Sequence, residues 1–375
     1  MIPTAAIPTT TTTEPAEVDA RQLVDRLIAD ALQRQASDIH VDPGADRCDV
    51  KFRIDGVLAA VASHPATIGR MLVTRLMVMA RLLTYRLDVP QEGRIDFAPS
   101  MVNGAKPIEL RVSIMPTTHG PRAAVRLPAE LLQPQSLEQL RLPEAVLDCL
   151  RAFAGADCGM LIVTGPAGSG KTTTIYALLQ HIAQPQSGLS IVTLEDPVER
   201  DLPAIVQIEV SPFGQLTYDR ALRSILRQDP QVLMLGEIRD AATASIAIQA
   251  ALSGHRLICT LHASTPAGAF IRLLEMGIEP YQLTSAIHGI LTQRLVRRLS
   301  SGDRAGRYQG RVPIAEFVTM TESLRRALLS RSDLDGLRRA YESQAHFRPL
   351  RAAADHLVRE GLTDEQEILR VLGPP

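Results

Sequence analysis

The chain reads as an α/β protein: a domain on a mainly parallel sheet, preceded by a smaller α+β domain. Three observations predict this. Strand-like and helix-like segments alternate from about residue 160 to 261. Before residue 128 the pattern has period two, as in half-buried antiparallel strands. Between them, Met160–Thr173 reads as apolar strand, glycine-rich loop and helix start, with the spacing G-x-x-x-x-G-K-T.

In chain order, residues 1–17 form a threonine-rich tail that predicts disorder. The first domain is expected over 18–128. It opens on a helix whose Leu23, Val24, Leu27, Ile28 and Leu32 make one apolar stripe. Val50, Phe52 and Ile54 alternate with Lys51, Arg53 and Asp55 in a strand that ends at an Asp55-Gly56 turn. Val57–Val61 returns as the hairpin partner, and a helix follows over about 68–83. Strands are expected at 93–97, 108–114 and 122–127. Residues 129–140, starting with a proline-flanked stretch, are read as a linker.

The second domain is expected over 141–300, with a helix at 143–154 and then strand 160–164, helix 172–183, strands 190–194 and 205–209, helix 218–227, strand 231–235, helix 241–252 and strand 256–261. Helices are expected to dominate from about 266, and 301–375 is read as a helical C-terminal region.

The glycine loop has its own physics. Gly165, Gly168 and Gly170, with Pro166, Ala167 and Ser169, let backbone N–H groups turn inward around a phosphate chain. The helix beginning at Lys171, Thr172 and Thr173 adds its positive end. Lys171 is expected on the β- and γ-phosphates and the Thr172 hydroxyl on Mg²⁺. Lysine occurs only at 51, 106 and 171, so one in this loop is not an accident of composition.

Four more segments bear chemistry. Ile191–Leu194 runs into Glu195, Asp196 and Glu199, acids that repel unless a cation or water separates them. A solvated loop would look the same; the functional reading puts them near metal and water. Val232–Leu235 runs into Gly236-Glu237, as a central strand ends at the ligand edge of a parallel sheet. Thr260 and His262 stand two apart at another strand end and point to one side; His262 is either structural or a γ-phosphate sensor. Arg223 and Arg227 are four apart on one predicted helix, and Arg111 and Arg126 lie on strands of the first domain. In an arginine-rich chain these can be surface solvation, or fingers that reach phosphates from a neighbouring domain or subunit.

Composition excludes other classes. A net charge of −1 and 3% aromatic residues argue against a nucleic-acid coat or a stacking platform for single strands. Cys48, Cys149, Cys158 and Cys259 contain no C-x-x-C pair. No apolar run approaches the roughly 18–20 residues of a bilayer span, and the N-terminus has no signal-peptide order.

Taken together, these motifs resemble the secretion ATPases of type II secretion and type IV pilus assembly. The resemblance runs from about Ala36 to Leu299. It rests on Ala36-Ser-Asp-Ile-His, Phe52-Arg-Ile-Asp-Gly-Val-Leu, Pro90-Gln-Glu-Gly-Arg-Ile, Arg111-Val-Ser, the Walker A loop at 165–172, Glu195-Asp-Pro-Val-Glu199, Arg227-Gln-Asp-Pro, Gly236-Glu-Ile-Arg-Asp240, Thr260-Leu-His262 and Gln293-Arg-Leu-Val-Arg-Arg. It implies a RecA-like P-loop ATPase core after a PAS-like domain, nearest the assembly type. It also implies a homohexamer that binds ATP and Mg²⁺ and moves pilin or pseudopilin indirectly, without nucleic acid. Such a protein would be cytoplasmic, recruited peripherally to inner-membrane platform proteins. By position Glu237 would be the catalytic glutamate, with Lys171, Glu195 and His262 beside it. Asp196 and Glu199 would support metal and water. Arg111, Arg126, Arg223 and Arg227 would contact phosphates. The alternatives are a pilus-retraction motor, a type IV secretion ATPase or a nucleic-acid translocase. Two departures stand out. The family's tetracysteine zinc module is replaced by Ser300–Arg311 without cysteine, so no zinc is expected, and only a short tail stands where many members carry an extra N-terminal domain.

Overall fold

The computed structural model describes residues 19–98, 108–128, 134–184, 188–210, 216–300 and 308–374. The tail expected at 1–17 lies outside them, as do 129–133 of the expected linker. The chain divides between Leu131 and Leu132 into two compact units.

The first unit contains α1 (Ala20–Gln33), β1 (Asp38–Pro43), β2 (Arg47–Ile54), β3 (Val57–Pro65), α2 (Ala66–Met79), β4 (Gln91–Phe97), β5 (Ile108–Thr117) and β6 (Gly120–Arg126). Asp19 caps α1 by accepting from the Arg21 N–H. The strands form a sheet in the order β3-β2-β1-β6-β5-β4, antiparallel at every pairing. Alternation sends Ile39, Val41, Val50, Phe52, Leu110, Val112 and Val125 into one core with Val24 and Ile28 of α1 and Leu72, Val73 and Leu76 of α2. The opposite face is polar. One register there aligns Arg53, Asp38, Arg126, Arg111 and Arg94 on five neighbouring strands. Asp38 takes Arg126 at 3.3 Å and Arg53 at 3.4 Å, and Glu109 takes Arg94 at 3.2 Å and Arg111 at 3.8 Å.

The second unit includes a short 3₁₀ turn at Glu138–Leu140, inside the stretch read as linker; Leu137 and Leu140 are buried in its core. Its elements are α3 (Glu144–Ala154), β7 (Gly159–Thr164), α4 (Lys171–Ile182), β8 (Ile191–Glu195), β9 (Val206–Glu209), α5 (Tyr218–Ile225), β10 (Val232–Leu235), α6 (Ala241–Leu252), β11 (Arg256–Leu261), α7 (Pro266–Glu275), α8 (Pro280–Ala286), β12 (Ile287–Leu299), β13 (Tyr308–Thr319), α9 (Glu322–Leu329), α10 (Leu334–Glu342), α11 (Leu350–Arg359) and α12 (Glu365–Leu372). The sheet order is β13-β12-β7-β11-β10-β8-β9. Six strands are parallel and β13 is an antiparallel edge. Strands β7, β8, β10 and β11 are buried throughout, as strands covered on both faces must be. One covering layer contains α3 and α4; the other contains α5 to α10.

The helical reading beyond 266 is corrected here. Ile287–Leu299 and Tyr308–Thr319 are a long hairpin of the sheet, so 301–375 is not a purely helical region. The run Ile287-His-Gly-Ile-Leu-Thr-Gln carries too many buried positions in a row for its period to separate strand from helix. Burial against β7 on one side and β13 on the other decides it.

The far end of that hairpin holds α12 through one carboxylate. Glu367, fully buried, accepts from the Arg297 backbone N–H at 2.9 Å and from both the Arg297 and Arg370 guanidiniums. The Arg297 guanidinium also lies 4.0 Å over the Tyr308 ring. Burial pushes the Glu367 carboxyl up, but the hydrogen bonds from Arg370 and Arg297 outweigh it and hold it at about 2. The stabilising contribution is therefore complete above the ordinary glutamate value and is lost as pH falls through about 2. Glu367→Ala leaves a pair of guanidiniums without their carboxylate. It should cost about 3–5 kcal/mol, read as a lower denaturant midpoint, and should flatten the acid limb of the stability profile.

Candidate functional site

The parallel strands deliver their C-terminal ends to one edge of the second sheet. β7 leads into the glycine loop, β8 into Asp196-Pro197, β10 into Gly236-Glu237 and β11 into His262. This is where open α/β sheets bind ligands.

The loop is shaped by its glycines and braced from β12. Gly165 has φ 145°, and a Cβ there would stand 2.5 Å from both the Gln293 carbonyl oxygen and Ser169 Oγ. Gln293, almost wholly buried, donates from Nε2 to the Ser169 carbonyl at 2.9 Å and accepts from the Thr174 hydroxyl at 2.8 Å. Beside it Thr292 and Thr164 share a hydroxyl hydrogen bond of 2.8 Å. The Lys171 ammonium lies within the loop, donating to the carbonyls of Gly165 at 2.8 Å and Pro166 at 2.9 Å. Burial pulls its pKa down, Glu237 opposes this and Arg294 adds to it.

Thr172, Glu195, Asp196, Glu199, Glu237 and Arg239 line one cleft beside the loop. Their environments differ. Glu195 is buried, and its oxygens accept from Tyr176, from Thr193 at 2.5 Å and from Gln207 at 3.1 Å. It therefore anchors α4 and β9 to the end of β8. Burial and the hydrogen bond to Glu195 push the Tyr176 phenol well above its ordinary value. Asp196 faces the cleft and takes the Arg239 guanidinium at 3.3 Å. Glu199 is exposed, with its backbone N–H on the Tyr176 hydroxyl at 3.2 Å. Burial and the charge on Asp196 push Tyr218, also on the cleft, up to about 12.

Glu237 is the carboxylate with a nitrogen partner on each oxygen. Arg239 Nε stands 2.8 Å from one oxygen and His262 Nε2 stands 2.8 Å from the other. Thr260, two residues before His262, donates to the Gly236 carbonyl at 2.5 Å. The end of β11 thus grips the end of β10 twice.

Lys171, Thr172, Glu195, Asp196, Glu199, Glu237 and His262 are therefore gathered at one sheet edge. Arg111 and Arg126 stand opposite one another on the first unit's sheet. Arg223 lies in the last turn of α5, while Arg227 falls after the helix has ended and bonds Ser224 at 3.3 Å. The helix expected to 227 stops at Ile225, because the next turn breaks toward Asp229, which has φ 52°. Both arginines are exposed, and neither lines the cleft. Sequence reasoning missed Tyr176, Gln293 and Arg239 as site residues. Arg239 could have been found from its place in Gly236-Glu-Ile-Arg-Asp240, and Gln293 from its place at the head of Gln293-Arg-Leu-Val-Arg-Arg; Tyr176 carries no motif signal, only polarity inside a buried helix.

Residues 15–370 match the family described as "Type II/IV secretion system protein". The chain is 38% identical over 366 residues to the type II secretion system protein HxcR of Pseudomonas aeruginosa, covering 93% of this chain and 76% of that protein. It is 36% identical over 383 residues to the type II secretion system ATPase E of Vibrio cholerae, covering 93% and 75%. Among solved structures, the pilus retraction motor PilT with bound ADP superposes with a TM-score of 0.67 at 25% identity, over 94% of this chain and 97% of that one.

Gln293→Leu removes one acceptor and one donor from a dry site. It should cost about 1–3 kcal/mol for each polar group left unpaired. It should also weaken binding of a fluorescent nucleotide analogue, because the loop loses its brace. Unchanged affinity would place the brace elsewhere.

Proposed function

The chain belongs to the Type II/IV secretion system protein family, and from that membership we propose that it is an ATP-hydrolysing motor powering type II protein secretion or type IV pilus assembly. The single observation that supports a working hydrolysis site best is the company of Lys171 and Glu237. Glu237 shares a cleft with Thr172, the residue after Lys171, and its charge opposes the burial that pulls the Lys171 pKa down. A degenerate scaffold would not need that pair.

The roles follow from the chemistry. The loop N–H groups and Lys171 bind and orient the phosphate chain. The hydroxyl of Thr172 and the carboxylates of Asp196 and Glu199 are hard oxygen donors on one cleft, a set that suits Mg²⁺. When bound, Mg²⁺ neutralises phosphate charge. Glu237 takes the proton of the attacking water or orients it, with Arg239 and His262 fixing its two oxygens. His262 then reads the state of the γ-phosphate through Glu237. Glu195 supports this from beneath by fixing the end of β8. Arg111 and Arg126, with Arg223 and Arg227, are proposed to meet phosphates as arginine fingers when copies assemble.

The wider reading is a homohexamer on the platform proteins of the inner membrane, moving pilin or pseudopilin indirectly from the cytoplasmic side. Among the described residues no helix is long and apolar enough to cross a membrane.

Phosphate release from the purified protein with Mg-ATP is the test; a wild-type chain that released none would sink the proposal. Lys171→Ala should abolish nucleotide binding or turnover. Glu237→Gln should keep binding and slow turnover by about 10²–10⁴-fold, the usual scale for a lost general base. Retained turnover in Glu237→Gln would move the role to another carboxylate of the cleft.

A further inference from the structure

Successive side chains of β12 serve different segments. Gln293 braces the glycine loop, as described. Arg294, the next residue, donates from its guanidinium to the Gln293 carbonyl at 3.1 Å and to the Ser264 carbonyl at 3.1 Å. Ser264 lies two residues beyond His262, and the His262 carbonyl is itself held by Arg272 at 3.3 Å. The turn that carries His262 is thus held through its backbone, and one of the two holds runs to the strand that braces the loop.

Arg294 suits this work. Its fork reaches two carbonyl groups at once, which the single ammonium of a lysine does not reproduce in the same geometry. It is partly buried, so the charge needs a counter-charge. Glu316, buried on the neighbouring β13 and fixed by the Leu350 N–H at 3.0 Å, supplies part of that attraction, since burial pushes its carboxyl up to about 7. Arg294 also acts through its field on Lys171. It does not line the cleft of Glu237 and Thr172.

We infer that Arg294 is a positioning residue for hydrolysis: it ties the turn bearing His262 to the strand bearing Gln293, so that the His262–Glu237 pair and the phosphate loop share one frame. This rests on the hydrolysis reading above. Its physical content is coupling. Loss of Arg294 lets the 262–264 turn move, so it acts on turnover through His262 and not on ground-state binding.

The test is a double-mutant cycle of Arg294→Lys with His262→Ala in the full-length chain. Steady-state ATP hydrolysis, affinity for a non-hydrolysable ATP analogue and melting temperature are read together. Arg294→Lys should lower kcat about tenfold and change analogue affinity less than about twofold. In the His262→Ala background the same substitution should cost almost nothing further, because the two act as a unit. Arg294→Gln, which drops the charge, is the second variant and should give the same pattern. Equal losses with and without His262, a loss confined to analogue affinity, or full activity in Arg294→Lys would each overturn the inference. So would unfolding of both variants, which would make Arg294 a purely structural residue. A wild-type chain without turnover defeats the motor reading itself; an additive cycle in an active enzyme defeats only this inference.

Discussion

A carboxylate largely withdrawn from water needs a hydrogen-bond partner for each oxygen, and Glu237 has both. Its side chain is 17% exposed, and Arg239, His262 and the field of Lys171 converge on it. The edge of the sheet is arranged to satisfy this one group. β10 ends there so that Glu237 can enter the cleft. β11 ends one strand away so that His262 can meet it. β7 ends one strand further on, so the lysine of the loop comes from the same side, beyond His262, while β8 brings Asp196 from the other. A parallel sheet makes this possible, because only parallel neighbours deliver their ends to the same side.

The acids that look alike in sequence are separated by burial. Glu195 has its oxygens committed to Tyr176, Thr193 and Gln207, whereas Asp196, one residue on, meets Arg239 in the cleft. The step from strand to loop, taken between those two residues, converts an internal strut into a group that can meet a ligand. Glu316 and Glu367 show the same contrast elsewhere. Burial pushes the first up to about 7, while two arginines hold the second at about 2.

Much of this was legible in the residues. The glycine loop, the acidic strand ends and His262 carry spacing that the chemistry demands, and each lies at the sheet edge. The alternation of the first unit was also readable in Val50, Phe52 and Ile54, which all face its core. What could not be read was long-range. β12 is a strand because β7 and β13 cover it, a fact that no window of Ile287–Leu299 contains. Gln293 and Arg294 matter because of residues more than a hundred and about thirty positions away. Tyr176 was hidden in an ordinary-looking helix because its partner, Glu195, belongs to a different strand.

The row of arginines on the first unit has a thermodynamic consequence of its own. Neighbouring strands lie about 4.8 Å apart, so Arg126, Arg111 and Arg94 form a line of like charge whose members repel across the sheet. Asp38 and Glu109 relieve part of that repulsion through their ion pairs, and Glu92 and Asp96 flank Arg94 on the same face. By linkage, an anion that bound along the line would make the small unit harder to unfold, and more so in dilute salt than in concentrated salt.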